Sequence, residues 1–266
     1  MNRIKFVFLK SGLTQRSRRK ALLAAIVLLS LGLSIFLDFP QNIVTVVTGQ
    51  DRLVPIYYVD TPEKKVAISF DACWGAEHTP KILEVLRENN LKTTFFLTGF
   101  WLEKYPDMVK TISDEGHEIG NHTYTHPHLN TLSDSEIKTE VKRTHQLIKD
   151  ICGQEANLFR PPFGEYSNKV IKALEECGYK TIQWSVDSLD WKEGGKEALV
   201  NRVTSKIHNG AIVLFHNNGK YTAEALPEII EKLTAEGYTI VPISELLYQE
   251  DYYIDPHSGA QKKKES

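Results

Sequence analysis

Two histidines four residues apart, in the segment His122-Thr123-Tyr124-Thr125-His126, have the spacing that speaks most directly of chemistry. One helical turn or a tight loop can aim both imidazoles at a single point, and two aimed imidazoles suit a divalent metal. A histidine pair needs support from elsewhere in the chain. Four further stretches supply it. Asp71 closes the apolar run Val66-Ala67-Ile68-Ser69-Phe70-Asp71, and Arg160 opens the stiff segment Arg160-Pro161-Pro162-Phe163-Gly164. Asp187-Ser188-Leu189-Asp190-Trp191 carries two carboxylates beside a large aromatic, and Leu214-Phe215-His216 ends a buried run in an imidazole. Taken singly, Asp71 reads as a helix cap and Arg160 as an ordinary ion-pair partner. Taken together, an Arg160–Asp71 pair would hold the acid ionised and poised as a base, because a nearby cation favours the charged form. A His216–Asp190 pair would raise the imidazole pKa and ready it to donate a proton.

Residues so placed must be delivered by repeated strand and helix units. After the strand at 66–71, residues 77–89 place Ile82, Leu83, Val85 and Leu86 at helical spacing. Strands are expected at 93–97, 117–121, 157–160, 180–186, 211–215 and 239–243. Helices are expected at 106–115, at 167–177, at 196–208 and at 223–236. Another opens on a Ser133/Glu136 capping box and runs to about residue 151, and Gly116, Gly178 and Gly210 act as stops. Such alternation implies parallel strands with helices packed outside, in an open sheet or a barrel. About seven strands favour a distorted (β/α) barrel, whose site would lie at the C-terminal strand ends. Asp71, His122, His126, Arg160, Asp187, Asp190 and His216 all follow apolar runs in that way.

The chain of 266 residues, 41% hydrophobic and 25% charged, is long enough for one α/β domain with a full core. Its net charge of -2 gives no reason to expect nucleic acid as a partner. Arg3, Lys5, Lys10, Arg16, Arg18, Arg19 and Lys20 precede any acidic residue, and residues 21–37 carry no charge. That stretch is short for a membrane span and long for a signal-peptide core. With no small-x-small cleavage site in Ser34-Ile35-Phe36-Leu37-Asp38-Phe39-Pro40, the reading is an uncleaved transmembrane helix. The basic flank keeps the N-terminus cytoplasmic, so the expectation is a single-pass cell-membrane protein with its main domain extracytoplasmic. Residues 1–38 are then basic segment and anchor, 39–64 linker and lead-in, 65–250 the barrel, and 251–266 a charged tail expected to be disordered. Cys73, Cys152 and Cys177 are an odd number without metal-type spacing and read as free thiols. A Cys152–Cys177 pair stays open in an oxidising compartment.

The five stretches, in this order, resemble the motifs of the polysaccharide deacetylase family, which includes chitin and peptidoglycan N-deacetylases. The resemblance covers about residues 65–247. The N-terminal anchor and the Trp74-Gly75 pair after Asp71 look most like its sporulation-associated branch. It implies a metal-dependent hydrolase, with one divalent ion, usually zinc, removing N-acetyl groups from a cell-wall glycan. By the family pattern His122 and His126 are metal ligands, and Asp71 is the base that takes a proton from the attacking water. Arg160 orients Asp71, His216 is the acid for the departing amine, and Asp190 tunes it. The Phe163 backbone N–H is implied to hold the oxyanion, and Trp191 and Leu214 to wall the acetyl pocket. One position departs. The family carries a second Asp, the metal's carboxylate ligand, where this chain has Ala72. Asp71, Cys73, Glu77 and His78 are the nearby candidates for a replacement ligand. The alternative is a catalytically impaired barrel that binds glycan or a wall-synthesis partner without turnover.

Overall fold

The strand that carries Asp71 is buried along both faces, as expected for a central strand of a parallel sheet. The computed structural model of the protein describes residues 52–264. The anchor expected at 21–37 lies outside them, and among the described residues no helix is long and apolar enough to cross a membrane.

In chain order the elements are β1 (Tyr58–Val59), β2 (Lys65–Ala72), α1 (Thr79–Glu88), β3 (Thr94–Leu97), α2 (Gly99–Lys104), α3 (Pro106–Asp114) and β4 (Glu118–Asn121). There follow α4 (Asp134–Cys152), β5 (Leu158–Phe159), α5 (Asn168–Glu176), β6 (Lys180–Thr181), β7 (Val186–Asp187), α6 (Lys196–Thr204) and β8 (Ile212–His216). The chain continues with α7 (Thr222–Ala235), β9 (Thr239–Ile240), α8 (Ile243–Leu246), β10 (Tyr252–Ile254) and β11 (Ala260–Lys263). The capping box at Ser133 and Glu136 is formed in full at the start of α4.

Seven parallel strands run in the order β6-β5-β4-β3-β2-β8-β7, and β9 pairs with the start of β2. The two ends of that path, β6 and β7, are consecutive in the chain. A flat sheet would hold them about 29 Å apart at ~4.8 Å per strand, whereas five steps of extended chain reach only about 18 Å. The sheet must therefore curl, and it forms a distorted half-barrel. The expected strand at 180–186 is accordingly split. Its first half pairs with β5 and its second with β8, while the Gln183 and Ser185 N–H groups donate to Ile56 and Ile212 carbonyls.

Alternation along β2 sorts the two faces. Val66, Ile68, Phe70 and Ala72 join the apolar layer shared with the helices, with Ile82, Leu86, Trp101 and Leu226 among its members. Ala67 instead packs inside the barrel with Ile56, Val59, Phe96, Ile212, Ile243, Leu246 and Leu247. That second cluster fills the interior, and Ser69 and Asp71 follow Ala67 on the same face toward the strand ends.

Two expected boundaries are corrected. Residues 251–264 are not a disordered tail: β10 and β11 pair antiparallel, and β11 pairs parallel with β1. The pinning group is Gln261, fully buried, whose side-chain amide both accepts from the Tyr248 N–H (2.9 Å) and donates to its carbonyl (2.8 Å). The folded unit also begins before residue 65, since Ile56 and Val59 belong to the interior cluster. All three cysteines are free thiols.

Candidate functional site

β2 and β8 are paired in register, with Ser69 opposite Leu214 and Asp71 opposite His216. The base candidate and the acid candidate thus emerge side by side at the same end of the sheet, with Leu214, 3% exposed, two residues deeper on the His216 strand.

Asp71 is held from beneath by Arg160, which is fully buried. The guanidinium donates to Asp71 Oδ1 (2.7 Å), to Ser69 Oγ (2.9 Å) and to the Gln183 carbonyl (3.2 Å), and it lies 4.2 Å from the Phe96 ring centre. Burial by itself would push the Asp71 carboxyl up. Arg160, His122 and His216 overcome that, and Asp71 rests below the usual carboxylate range. The carboxyl is ionised.

His216 forms the second unit. Its Nδ1 sits 2.7 Å from Asp190 Oδ1, and Asp190 Oδ2 accepts from the His216 backbone N–H (2.7 Å) and from Thr222 Oγ1 (2.7 Å). Because Nδ1–H donates to Asp190, Nε2 is left for chemistry. Burial lowers the imidazole pKa, but Asp190 by hydrogen bond and charge, then Asp71 and Asp187, raise it further, so the net shift is upward. Gly219 has a separate role: a Cβ there would lie 2.2 Å from Thr222 Oγ1 and 2.6 Å from Asp190 Oδ2. Only a residue without a side chain lets that turn close over the carboxylate.

The two histidines of the spaced pair lie in a loop rather than on a helix, with ring centres 5.0 Å apart. Thr123 and His126 both take positive φ (69° and 58°), the kind of sparsely populated backbone that persists where surroundings enforce it. His122 Nδ1 lies 2.7 Å from the Arg160 carbonyl, which can only accept. Nδ1 therefore carries the proton and Nε2 presents its lone pair, the orientation a metal-binding histidine receives from its outer partner. Burial, and then the neighbouring His122 charge, brings the His126 pKa down to about 4, which keeps that ring neutral and able to ligate. Cys73 completes the arrangement. Among the described residues, donor atoms of Cys73, His122 and His126 all lie within 4.8 Å of one another. Asp71 Oδ2, although 3.6 Å from His122 Nε2, is not in that cluster, nor are Glu77 and His78. A tetrahedral ion with bonds of 2.0–2.3 Å would set its donors about 3.5 Å apart, so the three side chains fit one after small rotations. Burial, then the Asp71 charge, pushes the Cys73 thiol well above its ordinary value. A bound cation inverts that preference.

Phe163 and Trp191 stand further out. Phe163 (φ 59°) turns its half-exposed ring against His126 and stacks on His128, with ring centres 4.6 and 4.3 Å away. Trp191 is 59% exposed, beside Lys192. Trp74 is 58% exposed and meets His126 edge-on at 5.1 Å. Trp74 and Phe163 thus flank His126, while Trp191 follows Asp190 in the chain, and of the three, sequence reasoning had assigned a site role to Phe163 and Trp191. It also missed Gln183, Thr222, Gly219 and Asn217, which act through hydrogen bonds or close approach and carry no motif, and it gave Ser69 no role although it stands in the first stretch. For Thr222 and Asn217, the signal available was their nearness in the chain to His216.

The fold and this arrangement define an α/β half-barrel that gathers a buried carboxylate, an imidazole and a Cys/His donor cluster at its strand ends. The chain belongs to the polysaccharide deacetylase family, whose sequence model matches residues 58–182. It is 37% identical over 199 residues to the peptidoglycan-N-acetylmuramic acid deacetylase PdaA of Bacillus subtilis, covering 73% of this chain and 76% of that one. A peptidoglycan-N-acetylglucosamine deacetylase of Bacillus cereus is 38% identical over 194 residues, covering 71% of this chain and 91% of that one. Among solved structures, BA3943, a CE4 family pseudoenzyme from Bacillus anthracis, matches with 40% identity and a TM-score of 0.71 over 73% of this chain and 68% of that one. A mutant of it with restored enzymatic activity matches at 41% identity and the same TM-score, over 73% and 71% of the two chains.

Proposed function

We propose that this protein is a metal-dependent N-deacetylase of cell-wall glycan, with peptidoglycan as substrate and zinc as the metal. The observation that carries the reading is the register pairing of Asp71 with His216, each held by its own buried partner, beside three converging Cys and His donors. When bound, a divalent metal supplies Lewis-acid activation of the attacking water and of the acetyl carbonyl.

The chain's own residues do the rest. Asp71, kept ionised by Arg160, accepts a proton from the attacking water. His216, kept protonated by Asp190, gives a proton from Nε2 to the departing amine, and the two acts share one strand pair. Phe163 offers its backbone N–H to the oxyanion by the family pattern, and Leu214 and Trp191 bound the acetyl group. The uncharged stretch at 21–37 behind its basic flank supports a membrane anchor with the barrel outside. The same anchor with Trp74-Gly75 supports a place in the sporulation-associated branch.

Acetate release from N-acetylated glycan strands, with chelator and with added zinc, tests the reading. Zinc should restore what chelation removes, and Asp71→Asn should abolish release while keeping fold and metal. Release by that variant within a few-fold of the parent would remove Asp71 as base. Ala72 and the likeness to a pseudoenzyme favour a second reading, a barrel that binds glycan without turnover. Tight glycan binding with no acetate released under any metal would select it.

A further inference from the structure

The geometry points to Cys73 as the third protein ligand of the metal, in place of the carboxylate that Ala72 lacks. The inference rests on the metal-dependent reading of the site and deepens it. Of the four nearby candidates, only Cys73 has a donor atom within 4.8 Å of both His122 and His126 donors. Asp71 is already committed, its Oδ1 to Arg160 at 2.7 Å, and serving as a ligand would compete with its work as base. With sulfur as the ligand, base and ligand are separate groups.

Cys73 is also held in place. The Gly75 carbonyl accepts from Trp101 Nε1 (2.7 Å) and from Asn217 Nδ2 (2.9 Å), and the Asn217 backbone N–H donates to the Asp71 carbonyl (3.1 Å). These bonds tie Gly75 to α2 and tie both Asp71 and Gly75, two residues on either side of Cys73, to Asn217, the residue that follows β8. Cys73 itself is 5% exposed. A thiol in a mobile loop would need to be recruited, whereas this one stands among the imidazoles with its loop already fixed.

The step is a plain exchange: the S–H bond breaks, a sulfur–metal bond forms, and the proton leaves to solvent. Two imidazoles and one thiolate leave a fourth tetrahedral position open, as in three-ligand catalytic zinc sites. The donor set also predicts which ions bind. Thiolate favours zinc, cobalt and cadmium over manganese and magnesium, which prefer oxygen ligands.

The test uses the full chain carrying Cys152→Ser and Cys177→Ser, so that Cys73 is the sole thiol, titrated with cobalt(II), zinc(II) and cadmium(II). Cobalt should give a sulfur-to-metal charge-transfer band in the near ultraviolet, and zinc should abolish that band on displacing cobalt. Cys73→Ser should lose the band and bind zinc at least about tenfold more weakly. Cys73→Asp should keep zinc but bind cadmium at least about tenfold more weakly relative to zinc, since the soft donor is gone. The band is read on the sole-thiol chain itself, so a variant that misfolds does not decide the outcome. Cobalt bound with no charge-transfer band would overturn Cys73 as ligand and leave the metal-dependent reading standing. No metal bound at all would overturn both.

Discussion

Replacing Asp190 by Asn isolates the charge that holds a proton on His216. The carboxylate lies 2.7 Å from His216 Nδ1 and accepts two further bonds, from the His216 backbone N–H and from Thr222 Oγ1. Asn is nearly isosteric, but its amide can accept from the backbone and Thr222 only by turning its NH2 toward Nδ1. The ring then loses both the charge and the acceptor that raise its pKa, while burial continues to lower it. A hydrogen bond to a charged group contributes about 1.5–3 kcal/mol, and a pKa unit is worth about 1.36 kcal/mol. The alkaline limb of turnover should therefore move down by about 1–2 pH units, so that at pH 8 the variant loses on the order of tenfold more activity than at pH 6. Stability should follow the same group. His216 has its folded pKa raised above the unfolded value, so the pair stabilises fully below about pH 6.5 and loses that contribution as pH rises through the folded pKa. Asp190→Asn should accordingly destabilise the barrel more at pH 5 than at pH 9. The assays are kcat against pH from acetate release, and urea unfolding at the two pH values. An alkaline limb that stays in place would refute Asp190 as the group that sets the acid.

Arg160→Met should cost about 3–5 kcal/mol in urea unfolding, because it leaves the Asp71 carboxylate buried without its partner and frees Ser69 Oγ and the Gln183 carbonyl. A loss under about 1 kcal/mol would mean that water or another cation replaces the guanidinium. His216→Ala should lower kcat by about 10²–10⁴ and leave KM within a few-fold, since proton donation to the amine matters only in the later barrier. An effect confined to KM would make His216 a wall of the pocket.

Much of this site was legible because chemistry in a parallel barrel collects at strand ends. Asp71, Arg160, Asp190 and His216 each follow or close an apolar run, and the two inferred pairs, Arg160 with Asp71 and Asp190 with His216, are the ones the structure forms at 2.7 Å. Periodicity found the helices well, as at α3 and α5, where an apolar face and a glycine stop coincide. It failed where pairing depends on partners remote in sequence. The strand expected at 180–186 is divided because its halves satisfy different edges of a curling sheet, which no local pattern encodes. The Lys-rich end at 260–264 looked solvated because its partner, β1, lies about two hundred residues upstream. Cys73 had no spacing signature, since its companions His122 and His126 reach it through the fold rather than through the chain.

Ala72 tests how far the altered ligand set has been absorbed by the surrounding structure. Its methyl is fully buried at the end of β2, within the apolar layer that includes Phe70, Ile82 and Trp101. An Asp at 72 would be charged there without a described cation for a partner, and an unpaired buried carboxylate costs several kcal/mol. By the family's ligand pattern, a metal shared with His122 and His126 would relieve that cost. Ala72→Asp should therefore lower the Tm of the metal-free protein and gain more from zinc than the parent does. If the carboxylate joins the ligand set, affinity should rise at least about tenfold, an added ~1.4 kcal/mol of stabilisation at a fixed zinc concentration above both dissociation constants. The gain should be larger still in a Cys73→Ser background, where the carboxylate replaces a missing ligand instead of adding a fourth. Turnover need not follow affinity, because another anionic ligand makes the metal a weaker acid toward water. Thermal unfolding of the four chains, with and without zinc, separates these terms. Equal zinc-induced shifts in Cys73→Ser and in the Cys73→Ser/Ala72→Asp double variant would mean that position 72 no longer addresses the metal, and that the barrel has closed around the methyl group.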